Sequence, residues 1–128
     1  MMMTEHLAVT GDDFSTIDPA HLDTADETLL DALGFGVVGM SAAGNAVIFN
    51  RTEERYSGMK REKVLGQPFF LAVGVCMNNY LVAQRFEDEP ELDAMLDYVL
   101  TFRMRPTPVK LRLLKRPDLR HRYLLVQR

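Results

Sequence analysis

The sequence predicts an α+β domain built on a five-stranded antiparallel sheet, and three observations predict it. Two apolar runs flank a turn at Gly44-Asn45, glycine-punctuated helical segments follow, and three alternating runs separated by turns fill the last forty residues. An order of two strands, several short helices, one longer helix and three strands places helices on one face of an antiparallel sheet. The length of 128 residues suits one compact domain with its own core.

Met1 to about Ser15 is polar and weakly patterned, an extension that must pack on something else to be ordered. Asp18-Pro19 supplies an N-cap followed by Pro at the first helical position and starts a short helix through about Leu22. Ala25 to Leu33 forms a second helical segment with Leu29, Leu30 and Leu33 on one face, stopped at Gly34. Residues 1–33 are thus an N-terminal helical cap ahead of a core spanning 34–128.

Phe35 to Ser41 and Ala46 to Asn50 read as the strands of a hairpin, turning at Ala42-Ala43-Gly44-Asn45 with Gly44 at positive φ. Arg51 to Ser57 and Arg61 to Leu65 are short helices broken by Gly58 and Gly66, a pattern that leaves room for a cavity. Asn78 or Asn79 caps a longer helix through about Phe86, and the acidic stretch Glu87 to Glu91 ends it. Met95 to Arg105, Val109 to Lys115 and His121 to Gln127 are the last three strands, with turns at Pro106-Thr107-Pro108 and Arg116-Pro117-Asp118.

The net charge of −3 is unevenly spread: residues 1–102 carry 17 acids and 6 bases, whereas residues 103–128 carry nine Lys or Arg against Asp118 alone. In Val109 to Lys115 the bases alternate with apolar residues, which places them on the solvent face of a strand and argues against a nucleic-acid surface. No apolar stretch approaches the ~20 residues of a membrane helix. The first fifteen residues lack a signal-like core, so the expected compartment is the cytoplasm.

Cys76 is the single cysteine, so an intramolecular disulfide and a Cys-based zinc site are both excluded. Two readings of it stand: a small buried hydrophobe closing the apolar run Phe69 to Val75, or a reactive thiol that carries something. His6, His21 and His121 are scattered and suggest no metal site. None lies near Cys76 in sequence to serve as the base of a cysteine hydrolase, so no enzyme is expected.

From Leu30 onward the chain resembles the photoactive yellow protein family of the PAS superfamily. The resemblance rests on Leu33-Gly34-Phe35-Gly36, Gly44-Asn45, Phe49-Asn50, Glu53, Ser57-Gly58, Val64 to Phe70 and Cys76. It continues through Asp97-Tyr98, Phe102 to Thr107 and Tyr123 to Val126. It implies a PAS-like sheet and a photoreceptor in sensory signal transduction, with p-coumaric acid as its chromophore. Cys76 would carry that chromophore as a thioester, and Glu53 would be the buried proton donor to its phenolic oxygen.

Phe49, Ser57 and Met59 match positions where the family has a tyrosine, a threonine and an arginine. Tyr98, Leu100 and Met104, with Phe69 and Phe70, line the cavity or the core beside it. Phe49 and Met59 make the cavity more apolar. The alternative is therefore a PAS sensor without pigment, binding a small apolar ligand or a partner protein. The resemblance further implies a downstream signalling partner of unknown identity and is compatible with a homodimer, with no role for a membrane.

Overall fold

The computed structural model describes residues 13–102 and 104–128. The extension expected over Met1 to Ser15 lies outside the described residues as far as residue 12, as does His6. Five antiparallel strands, β1 (Gly36–Met40), β2 (Ala46–Phe49), β3 (Leu92–Phe102), β4 (Arg105–Lys115) and β5 (Arg122–Gln127), form one sheet in the order β2-β1-β5-β4-β3. The hairpin turns at Gly44, with φ 89°.

Strand register sorts the core. Phe49, Val38, Leu124 and Leu113 stand opposite one another across β2, β1, β5 and β4, and all four are buried on one face. Val64, Phe69, Met77 and Phe86 join their cluster from the segments between β2 and β3. Helices α4 (Arg51–Ser57), α5 (Arg61–Val64) and α6 (Ala83–Asp88) belong to that connection. The opposite face carries Val37, Leu125, Tyr123 and Leu114, buried with Phe14, Leu22, Leu30 and Leu33. These come from α1 (Asp13–Thr16), α2 (Pro19–Thr24), α3 (Glu27–Ala32) and their flanks, so the sheet is covered on both faces.

That cover corrects the reading of Arg112. Alternation sends it to the outer face as expected, but the face is under the cap and Arg112 is only 5% exposed. Its guanidinium makes two hydrogen bonds to the Asp93 carboxylate, both 2.9 Å, and donates to the carbonyls of Phe14 and Ile17. A buried cation needs such partners.

Two more boundaries differ from expectation. Pro106 and Pro108 lie inside β4, opposite Thr101 and Val99, and the chain turns instead before Arg105, at Met104 with φ 68°. β5 pairs with β4 no further than Lys110, so the missing amide hydrogens at 106 and 108 leave no gap in that ladder. The longer helix is only Ala83–Asp88: Asn79 Oδ1 does accept the amides of Leu81 and Val82, but Val82, at φ −124° and ψ −74°, is not helical.

Asn50 binds three elements together. Its Oδ1 accepts the amides of Val37 and Glu53, and its Nδ2 donates to the carbonyls of Leu30 and Phe35. A second tie joins cap to sheet: Asp23 accepts from the Tyr123 hydroxyl at 2.6 Å and from the Arg120 amide at 2.7 Å. Burial works to raise the Asp23 pKa, but these hydrogen bonds and the Arg120 charge outweigh it and hold the carboxyl below its ordinary 3.8.

Asn50→Ala leaves buried backbone groups without partners and is expected to lower unfolding free energy by about 2–5 kcal/mol in urea titrations at constant slope. For Asp23 the folded pKa is depressed, so its contribution is present above the unfolded value and lost as pH falls below 3.8. Urea midpoints taken between about pH 5 and pH 3 should therefore fall more steeply in the wild type than in Asp23→Asn.

Candidate functional site

A cavity of about 370 Å³ opens between the helical connection and the inner face of the sheet, within the ~300–1,000 Å³ typical of small-molecule sites. Phe49 from the end of β2, Glu53 and Ser57 from α4, and Met59 just beyond α4 line one part of it. Phe69, Val73, Gly74, Val75, Cys76 and Met77 from the next segment, with Leu100 and Thr101 of β3, line the rest.

Glu53 reaches this position because Asn50 caps α4 and accepts the Glu53 amide. Its side chain lies against β1 at Gly36, where a Cβ would stand 2.1 Å from Oε1; glycine is what lets strand and carboxyl approach. Glu53 is 5% exposed, and Oε1 has no hydrogen-bond partner among the described residues. Burial pushes its pKa up to about 7, against the opposing charge of Arg128, whose Nη2 is 3.7 Å from Oε2. Glu53 is therefore a buried acid rather than a solvent-facing one, and its carboxyl titrates near neutrality.

Cys76 sits in a one-turn 3₁₀ helix, Val75–Met77, directly after a π-helical turn, Phe69–Val73. π-helical turns are frequent at functional sites, and 3₁₀ turns are common connectors. At Gly74, between them, a Cβ would come within 2.6 Å of the Phe69 ring and 2.9 Å of Met77 Cε. The thiol is exposed, which rules out the buried-hydrophobe reading. Its backbone is fixed from β3: the Tyr98 hydroxyl donates to the Cys76 carbonyl at 2.7 Å and accepts from Asn79 Nδ2 at 2.7 Å.

The structure brings Phe49, Glu53, Ser57, Met59, Cys76 and Leu100 to one cavity. Tyr98 acts instead on the Cys76 backbone, and Met104 is 91% exposed in the β3–β4 turn, so neither lines it. The Ser57 hydroxyl accepts the Met59 amide. Sequence reasoning missed Arg128, although period-two alternation from Leu124 and Val126 points residue 128 to the inner face. It also missed Arg61, whose guanidinium bonds Glu27 and Asp31 of the cap and pairs with Glu54 beside the site.

No protein-family model matches the chain. It is 32% identical over 89 residues to the photoactive yellow protein of Halochromatium salexigens, covering 67% of this chain and 71% of that protein. With the photoactive yellow protein of Rhodothalassium salexigens the identity is 30% over 97 residues, covering 73% and 77%. The chain belongs to the photoactive yellow protein family. Among solved structures, the photoactive yellow protein domain of the sensor histidine kinase Ppr from Rhodospirillum centenum superposes with a TM-score of 0.79 at 31% identity, covering 87% of this chain and all of that one. The fold is thus that of a PAS sensory domain, and a photoactive yellow protein domain of this kind is a sensor rather than an enzyme.

Within this photoactive yellow protein relative, Glu53 gives a directional test. Its folded pKa lies above the ordinary 4.5, so its contribution to stability is full below about pH 4.5 and is lost as pH rises through about 7. Urea midpoints of the ligand-free protein should decline between those values, and Glu53→Gln should flatten the decline.

Proposed function

We propose that this domain senses light through a p-coumaric acid group held as a thioester on Cys76. The observation that carries the reading is the placement of an exposed thiol and a buried, incompletely bonded carboxyl on one largely apolar cavity. Cys76 would hold the acyl end, Phe49, Phe69 and Leu100 would flank the ring, and Glu53 would meet the phenolic oxygen. When bound, the group supplies a light-driven isomerisation of its double bond.

The chain's own residues turn that event into a signal. Tyr98 and Gly74 hold the Cys76 backbone, so motion is directed toward Glu53. A Glu53 carboxylate deprived of its partner is a buried charge, costly by several kcal/mol after relaxation. α4, which carries it, is joined to the cap through Asn50 and the Leu30 carbonyl and through Arg61 with Glu27 and Asp31. Strain at Glu53 is thus passed to α1–α3, the element that would detach and signal to a partner.

Phe49 and Met59 offer the cavity neither hydroxyl nor cation, and this favours a second reading, a pigment-free sensor of a small neutral ligand. Incubation with an activated p-coumaric acid derivative separates the two. Intact mass should show one adduct on the wild type and none on Cys76→Ala; no adduct, or equal labelling of the variant, defeats the photosensor. Given an adduct, limited proteolysis should cut within residues 13–33 faster in light than in darkness, and identical cleavage removes the cap from the mechanism.

A further inference from the structure

Among the described residues, Glu53 shares its surroundings with one close cation. Arg128, just past β5, brings Nη2 to 3.7 Å from Glu53 Oε2 and lays its guanidinium over the Tyr56 ring at 4.9 Å. The two side chains are 13% and 7% exposed, so solvent screens the pair little. The other described neighbours bring no competing charge. Gly36 presents only backbone from β1, and Phe49 a hydrocarbon ring. The Ser57 hydroxyl is uncharged and accepts the Met59 amide, Glu54 is engaged by Arg61, and Cys76 lines the same cavity.

A phenolic ligand and Glu53 have one proton between them when a single negative charge is shared, and that charge settles where cations and donors are closest. Arg128 stands beside Glu53, and Phe49 has no hydroxyl to donate to a phenolate. We propose that Arg128 is the counter-ion of Glu53, and that the cavity therefore selects ligands whose head group is a neutral hydroxyl donating to a Glu53 carboxylate, rather than a phenolate accepting from it. The ligand class rests on the reading of the cavity as a ligand site, whereas the ion pair does not. Burial alone raises the carboxyl, and the Arg128 charge is the force acting against it. Loss of that charge leaves burial unopposed.

The ion pair is tested on the ligand-free protein by following the carboxylic C=O band in infrared pH titrations, assigned by its disappearance in Glu53→Gln. Arg128→Gln should raise the midpoint by about one to three pH units, while Arg128→Lys should stay near the wild type. Equal midpoints in wild type and Arg128→Gln overturn the proposal. The ligand class is tested with methyl p-coumarate, which cannot acylate by activation. At pH 8 its bound spectrum in the wild type should be that of the neutral phenol, moving toward the phenolate in Arg128→Gln. A phenolate spectrum in the wild type overturns the ligand class, and absence of binding overturns it together with the cavity reading, while the infrared comparison decides the ion pair by itself.

Discussion

One side-chain amide, that of Asn50, sets the geometry on which the site depends. Its oxygen and nitrogen make four hydrogen bonds, which is all that an amide group can offer. They fix the start of β1 at Val37, the first turn of α4, and the end of the cap at Leu30 relative to one another. An aspartate would have no hydrogens for the two carbonyls. A glutamine would be too long to sit at the N-cap. Because Glu53 is three residues along the same helix, the placement of its carboxyl against Gly36 follows from this junction.

The site combines a rigid part and a costly part. Gly74, Phe69 and Tyr98 hold the Cys76 backbone closely, and Asn50 does the same for α4. Between them stands a carboxyl with one oxygen unpaired among the described residues, its titration brought near neutrality by burial. A well-packed protein retains such a group only where surrounding bonds over-determine its position. Here those bonds run from α4 to the cap as well as to β1, through the Asn50 side chain to Leu30 and through Arg61 to Glu27 and Asp31.

Much of the fold was legible because local rules decided it. Pro19 after Asp18 opens α2, the alternation around Gly44 gives β1 and β2, and Gly58 closes α4. Non-local facts were not legible. Arg112 looks solvent-facing until the cap covers that face, and Pro106 and Pro108 read as a turn until β5 proves too short to reach them. The exposure of Cys76 was hidden by an apolar run that resembles core. The π and 3₁₀ turns break the 3.6-residue period there, so Phe69 and Met77 point inward while Leu71 and Val75 face solvent. The cavity residues were named by family likeness rather than by pattern, since nothing in the spacing of Glu53 and Cys76 says that they meet.

The exposure of Cys76 bears on how the unliganded protein ages. A thiol that an acyl donor can reach is also within reach of peroxide, and the first product, a sulfenic acid, is ordinarily rescued by a neighbouring thiol. These 128 residues contain no second cysteine to perform that rescue. Oxidation would then end in a mixed disulfide with a small thiol, a bridge to another chain, or an irreversible sulfinate. A reducing milieu would keep the sulfur in its thiol form.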